Sequence, residues 1–283
     1  MCISNQRSMF SSSSSVSPNE VAKFSGMSQS WWDPSLNPLI GMNPTRLDYI
    51  QTHAVRTDSL AATSQTSTLA PSAPLEGMRA LDVGCGGGLL SESLCRLGCD
   101  VVAIDPSESL VNCAKAHSEN AGLVIDYRGG TSLEQLAQNY ITNNDEPKFS
   151  IICILEVLEH VDNIDSMLHA ASQLLDPTSG RLFVSTLNRT YQSYLLAILG
   201  AEYVMHYVPP KTHDWNLFRS PELVTDKMHQ VGLCPAGPPV GMVLAGPPPP
   251  LGTWQWKLSP TDLSVNWIGC YRHAPPPTST GDE

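Results

Sequence analysis

Glu156, Glu159 and His160, in the stretch EVLEH, stand at positions i, i+3 and i+4. On a helical turn those spacings share one face. Two carboxylates and an imidazole could bind a divalent cation. Carboxylate oxygens suit Mg2+, although histidine is a less usual ligand for it. Such a cation can act as a Lewis acid and as a template. Without a metal, His160, or His213 in the later stretch THDW, becomes the candidate general base. The plain alternative for His213 is a satisfied loop histidine.

The second group with chemical potential is LDVGCGGG, residues 81–88. Glycines permit a sharp turn at positive φ and a close ligand approach. The dinucleotide fingerprint G-x-G-x-x-G fails here, because its last position is Leu89. The spacing that fits is G-x-G-x-G, from Gly84 to Gly88. Asp105 follows 21 residues after Gly84, where an acid accepts hydrogen bonds from an unphosphorylated ribose diol. Asp105 could also cap the following helix. These residues point to a ribosyl cofactor without saying which.

The elements that must position these residues alternate. Apolar runs at 78–83, 100–105, 124–130, 149–157 and 180–187 read as buried strands. Helical patterns at 89–98, 109–122, 133–140 and 164–175 fall between them, two of them closing on a glycine. VNWIGCYR (265–272) reads as a last, antiparallel strand. This order builds a parallel sheet with right-handed crossovers and helices on both faces. Ligands then lie beyond the carboxyl ends of the strands, where the glycine turn sits.

The chain has 283 residues, 41% hydrophobic and 15% charged, with a formal net charge of −11. That balance argues against nucleic acid as a partner and against charge-driven attachment to anionic lipid. No apolar run approaches the ~20 residues of a bilayer span. The eight cysteines form no CxxC pair, so they read as reduced and structural. Residues 1–29 read as a disordered or targeting segment. It is serine-rich and nearly free of acids, as a mitochondrial presequence is, but has only Arg7 as an arginine. Residues 30–273 form one domain. Within it, 57–74 is expected to be a flexible insertion, 188–215 a connection with its own apolar helix, and 235–251 an irregular proline-rich loop; 274–283 is a loose tail.

LDVGCGGGLL with VVAIDPS, ILEVLEHV and LFVSTLNRT resembles the class I S-adenosylmethionine-dependent methyltransferases. WWDP (31–34), NPTRLDYI (43–50), GAEYV (200–204), THDW (212–215) and VNW (265–267) extend the resemblance to the ubiquinone-biosynthesis O-methyltransferases, in order, over roughly residues 30–272. The departures are 57–74 and 235–251. The resemblance implies a Rossmann-like, doubly wound, mostly parallel seven-stranded α/β sheet with an antiparallel last strand.

It also implies roles. Gly84 admits the methionyl part of S-adenosylmethionine, Asp105 takes its ribose, Leu155 packs on it, and Arg46 pairs with its carboxylate. A surface arginine is the plain alternative for Arg46. The acceptor would be a polyprenylated catechol. With Mg2+ on Glu156, Glu159 and His160, both catechol oxygens would be chelated; many class I methyltransferases carry similar residues that only pack beside the cofactor. The family implies a peripheral enzyme of the mitochondrial inner membrane, on its matrix side, in a multi-subunit complex of ubiquinone biosynthesis. Residues 191–208, with an apolar YLLAILGA, are expected either to lid the site or to dip into the membrane interface beside Tyr191, Tyr194, Tyr203 and Tyr207. A non-catalytic adenosyl-binding scaffold, or a methyltransferase for another small molecule, is the alternative. A nicotinamide oxidoreductase is disfavoured by Leu89.

Overall fold

The computed structural model describes residues 15–26, 28–54, 73–143, 147–196, 198, 214–249 and 251–275. Five strands run parallel: β1 (Arg79–Val83), β2 (Asp100–Asp105), β3 (Asp126–Gly129), β4 (Ile151–Leu155) and β5 (Arg181–Leu187). They are linked through α3 (Leu89–Arg96), α4 (Glu108–Asn120), α5 (Leu133–Asn143) and α6 (Ile164–Leu174), preceded by α1 (Pro18–Ser25) and α2 (Pro38–Ala54). α7 (Pro221–Gln230) then leads to β6 (Leu233–Pro235), β7 (Val240–Leu244), β8 (Trp256–Ser259) and β9 (Asn266–His273). The strand order is β3-β2-β1-β4-β5-β9-β7-β8, with β6 also on β9, and β9 runs antiparallel to β5.

The doubly wound sheet and its antiparallel β9 are as expected, but the sheet has nine strands among the described residues rather than seven. β7 lies inside the proline-rich stretch read as irregular. The prolines there flank VGMVL, which itself holds none and so keeps its ladder donors.

Side-chain alternation splits the core across the sheet. On one face Leu81, Val83, Ile104 and Ile154 pack with α5, α6 and α7. On the other, Ala80, Ala103, Cys153 and Phe183 pack with α2, α3 and α4. Asp82 follows the parity of Ala80, so its carboxyl points toward α2 and α3, where the Ser91 hydroxyl donates to it (2.6 Å). Each fully buried Leu or Ile contributes about 1.5–3 kcal/mol.

Part of the segment read as disordered or targeting is helical: α1 lies within it. α1 has no buried residue of its own, so tertiary contacts hold it. The Ser15 N–H donates to Glu134 (3.2 Å), the Asp162 N–H donates to the Ser15 carbonyl (3.1 Å), and Ser25 Oγ meets Ser107 Oγ (2.7 Å). Residues 1–14, nearly all of 57–74, residues 199–213 with His213, and most of 274–283 lie outside the described residues. Described cysteines are unpaired; burial pushes the Cys99 and Cys270 thiols up to about 12, consistent with inert packing.

Candidate active site

A cavity of about 690 Å3 opens at the carboxyl ends of β1, β2, β4 and β5. That lies within the range of small-ligand sites. Gly84, Asp105, Leu155, Glu156, Glu159 and His160 all line it.

β1 ends at Val83 and the chain turns back sharply. Gly84 (φ 71°) and Gly86 (φ 53°) have left-handed backbone. The N–H groups of Gly84 and Cys85 both donate to the Ile104 carbonyl (2.9 and 3.1 Å), which ties the turn to the end of β2. A Cβ on Gly84 would lie 2.6 Å from Val157 Cγ2, so this glycine is required by the turn after β4.

Asp105 ends β2 beside this turn. Its Oδ2 accepts from the Gly86 N–H (2.9 Å) and its Oδ1 from the Ser107 N–H (2.7 Å). Its side chain is thus fixed at the cavity wall, with each oxygen keeping acceptor capacity for ribose hydroxyls. Burial raises its carboxyl above the usual range, and the two N–H groups oppose this. The N-cap of α4 is Ser107, not Asp105, because the Leu110 N–H donates to Ser107 Oγ (3.3 Å). Leu155, the last residue of β4, is buried on the same wall.

Arg46 is not a surface arginine; it is 4% exposed, in the middle of α2. α2 is locked in place by Asn43 Nδ2, which donates to Ser93 Oγ (2.9 Å), and by Thr45 Oγ1, which donates to the Trp256 carbonyl (3.0 Å). Arg46 Nη2 lies 3.5 Å from Glu156 Oε1, but Nε and Nη2 make no hydrogen bond. Its buried guanidinium donors lack acceptors, yet Arg46, unlike the other expected site residues described, is not among those that line the cavity.

The expected metal triad is not assembled. Residues 158–160 form a tight 3-10 turn and Glu156 stands at φ 57°, so α-helical spacing does not bring the three heads together. Glu156 accepts from Ser185 Oγ (2.5 Å) and Asn266 Nδ2 (2.9 Å). Glu159 accepts from Thr186 Oγ1 (2.7 Å), and His160 Nδ1 bonds Glu20 Oε2 (2.8 Å). Among the described residues no three His, Cys, Asp or Glu side chains are placed to hold a metal ion. As arranged, these residues do not fit a magnesium centre. Burial, and then the Glu156 charge, raise the Glu159 carboxyl.

Four site residues escaped the sequence reading. Glu20 and Phe24, on α1, meet His160 by a hydrogen bond and by a ring edge (centroids 4.8 Å apart). Asn266, on β9, holds Glu156. Trp31 lies on the glycine turn. Trp31 lies in WWDP and Asn266 in VNW, which were the available signals; Glu20 and Phe24 carried none.

A strand–glycine turn–helix followed by an acid at the next strand end, in this strand order, is the frame of a ribosyl-cofactor enzyme, and its relatives make it an S-adenosylmethionine-dependent methyltransferase. The comparisons agree: residues 55–233 match the family model described as "Methyltransferase domain". A S-adenosylmethionine-dependent methyltransferase of Clostridium acetobutylicum has the same fold, with TM-score 0.54 and 11% identity over 90% of this chain and 99% of that one. The ubiquinone biosynthesis O-methyltransferase of Cereibacter sphaeroides is 43% identical over 91% of this chain and 96% of its own length. That of Roseobacter denitrificans is 42% identical over 89% and 94%. The chain belongs to the ubiquinone biosynthesis O-methyltransferase family and is an S-adenosylmethionine-dependent O-methyltransferase.

Proposed function

We propose that this enzyme moves the methyl of S-adenosylmethionine to a catechol hydroxyl of a polyprenylated dihydroxybenzoate, of demethylubiquinol, or of both. The observation that carries this reading is one cavity lined both by residues the family gives to the donor and by further polar residues. Asp105 and Leu155 are the lining residues assigned to the donor, which leaves Glu156, Glu159, His160 and Asn266 for an acceptor.

S-Adenosylmethionine supplies an activated methyl on a sulfonium. The chain's residues must hold donor and acceptor in line, an effect worth roughly 7–11 kcal/mol. A phenol titrates near about 10, so it must lose its proton to attack. His160 lines the cavity, with its ring fixed by Glu20, and is the candidate base. The candidate His213 lies outside the described residues. α1 covers this side of the cavity through Val21 and Phe24, which keeps water from the reacting groups.

Magnesium enters this reading only through the acidic pair. Glu156 and Glu159 are close enough for one charge to raise the other's carboxyl, and a divalent cation would relieve that repulsion if Ser185, Asn266 and Thr186 released them. Titrating Mg2+ against wild type and the Glu156→Gln/Glu159→Gln pair decides it; magnesium-independent methylation removes the cation.

The setting belongs to the same proposal: a peripheral protein of the mitochondrial inner membrane, facing the matrix, in a multi-subunit complex of ubiquinone biosynthesis. The serine-rich start of the chain and the exposed Tyr191 and Leu196, at the head of 191–208, support it. Among the described residues no helix is long and apolar enough to cross a membrane. Liposome co-sedimentation of a 191–208 deletion tests the contact; undiminished binding places it elsewhere. For the reaction, methyl transfer to a short-chain prenylated dihydroxybenzoate and to a demethylubiquinol analogue is the test. A protein that binds S-adenosylhomocysteine yet methylates neither has another acceptor.

A further inference from the structure

Trp31 and Trp32 clamp the glycine turn from outside the sheet. Trp32 Nε1 donates to the Gly87 carbonyl (3.0 Å), and its indole stacks on His117 with centroids 3.6 Å apart and planes within 4°. Trp31 lies along the turn itself. A Cβ on Gly86 would fall 2.3 Å from its Cζ2, and a Cβ on Gly87 would fall 2.3 Å from its Cδ1. The six-membered ring therefore covers Gly86 and the pyrrole ring covers Gly87. Any larger side chain at either position would push the indole off.

Two further observations bear on Trp31; Trp256 shares both, and only Trp31 also lies on the glycine turn. It lines the same cavity as Gly84 and Asp105. Its Nε1 is buried with no hydrogen-bond partner in the structure, although its backbone is anchored by Asn37 Nδ2, which donates to the Trp31 carbonyl (2.8 Å). Buried indole N–H groups almost always find an acceptor. An orphaned donor on a residue that lines a ligand cavity would be satisfied by a ligand that brings an acceptor.

We propose that Trp31 is a cofactor-binding residue, its indole roofing the Gly86–Gly87 backbone and its Nε1–H donating to the carboxylate at the methionyl end of S-adenosylmethionine. The register along the turn selects the carboxylate. Gly86 is the end bonded to Asp105, so the ribose oxygens belong there. The pyrrole nitrogen lies one residue further on, at Gly87, next to the start of α3 at Leu89, where helix N–H groups add positive potential. The sulfonium and the α-ammonium of the cofactor offer a donor nothing. The carboxylate is the acceptor left at that end.

The test compares S-adenosylhomocysteine with 5′-methylthioadenosine, which lacks the amino-acid end, by calorimetry on the full chain. Trp31→Phe keeps a ring over the turn and removes the N–H. It is expected to weaken S-adenosylhomocysteine binding about 5- to 10-fold, as for loss of one hydrogen bond, while 5′-methylthioadenosine stays within about twofold. Trp31→Ala removes the roof as well and is expected to weaken both ligands. A Trp31→Phe protein that binds S-adenosylhomocysteine like wild type, or that loses both ligands alike, overturns the proposal. Unliganded thermal melts of both variants separate a binding effect from unfolding. Wild type failing to bind S-adenosylhomocysteine would instead count against the cofactor, so the two failures are distinguishable.

Discussion

Arg46 Nη2 and Glu156 Oε1 lie 3.5 Å apart inside the protein, with side chains 5% and 13% exposed. The pair is incomplete. Glu156 is satisfied by Ser185 and Asn266, whereas Arg46 keeps two buried donors without acceptors. A carboxylate ligand would complete the arginine without disturbing the glutamate. Arg46→Gln is expected to weaken S-adenosylhomocysteine on the order of 10- to 100-fold, the scale of a lost charge-assisted hydrogen bond. Arg46→Lys should recover little of this, because a point charge does not reproduce a planar fork. Calorimetry reads both; wild-type affinity in Arg46→Gln would put the carboxylate elsewhere.

Asp105, at the cavity wall, is expected to hold the ribose end of the donor. Asp105→Asn keeps the shape but gives up the charge and one acceptor. A loss of about 10- to 100-fold in S-adenosylhomocysteine affinity is expected. The loss should shrink sharply for an analogue without the ribose hydroxyls. An equal loss for both ligands would mean that Asp105 only holds the Gly86 turn.

The contacts of α1 lead to a kinetic expectation. The helix reaches both ends of the cavity, through Ser25 to Ser107 and through Glu20 to His160. Removing residues 1–26 should speed S-adenosylhomocysteine dissociation by about tenfold, and an unliganded melt of the same variant separates loss of the barrier from loss of the buried Ser15 contacts. Stopped-flow displacement measures this. An unchanged off-rate would show that α1 is not a barrier to exchange.

What the sequence made legible follows from local physics. Strand runs ending at glycine located β1 and α3, and β2 was read at its observed ends, Asp100 and Asp105. The spacing from Gly84 to Asp105 survived because both sit at carboxyl ends of neighbouring parallel strands. The failures are tertiary. Glu20 sits in a polar, serine-rich stretch whose order comes from contacts more than 80 residues away. Trp31 has no periodicity to announce it, since its partner is a turn 55 residues on. β7 was hidden by its flanking prolines. The metal triad came from applying α-helical spacing to a 3-10 turn with one residue at positive φ.

Asp82 offers a test of the buried electrostatics beneath the site. It is buried at the sheet, and burial first of all pushes its carboxyl up to about 6, opposed by the Ser91 hydroxyl and the Arg46 charge. In the unfolded chain an aspartate titrates near about 3.9. The folded value is the higher one, so the folded state holds the proton more tightly. The resulting stability is complete below about pH 4 and is lost as pH rises through about 6. Other carboxylates act in the opposite sense: Asp176, held at about 2 by hydrogen bonds from Thr178 and Ser179, contributes stability above the unfolded value. The informative quantity is therefore wild type minus Asp82→Asn. That difference in unfolding free energy should fall by roughly 1–3 kcal/mol between pH 4 and pH 7, since a tenfold change in proton affinity is worth about 1.4 kcal/mol. Urea melts at four pH values would show it. A flat difference would mean that Asp82 stays ionised throughout, with the Arg46 charge outweighing burial, and would make Arg46 the partner of Asp82 before it is the partner of any ligand.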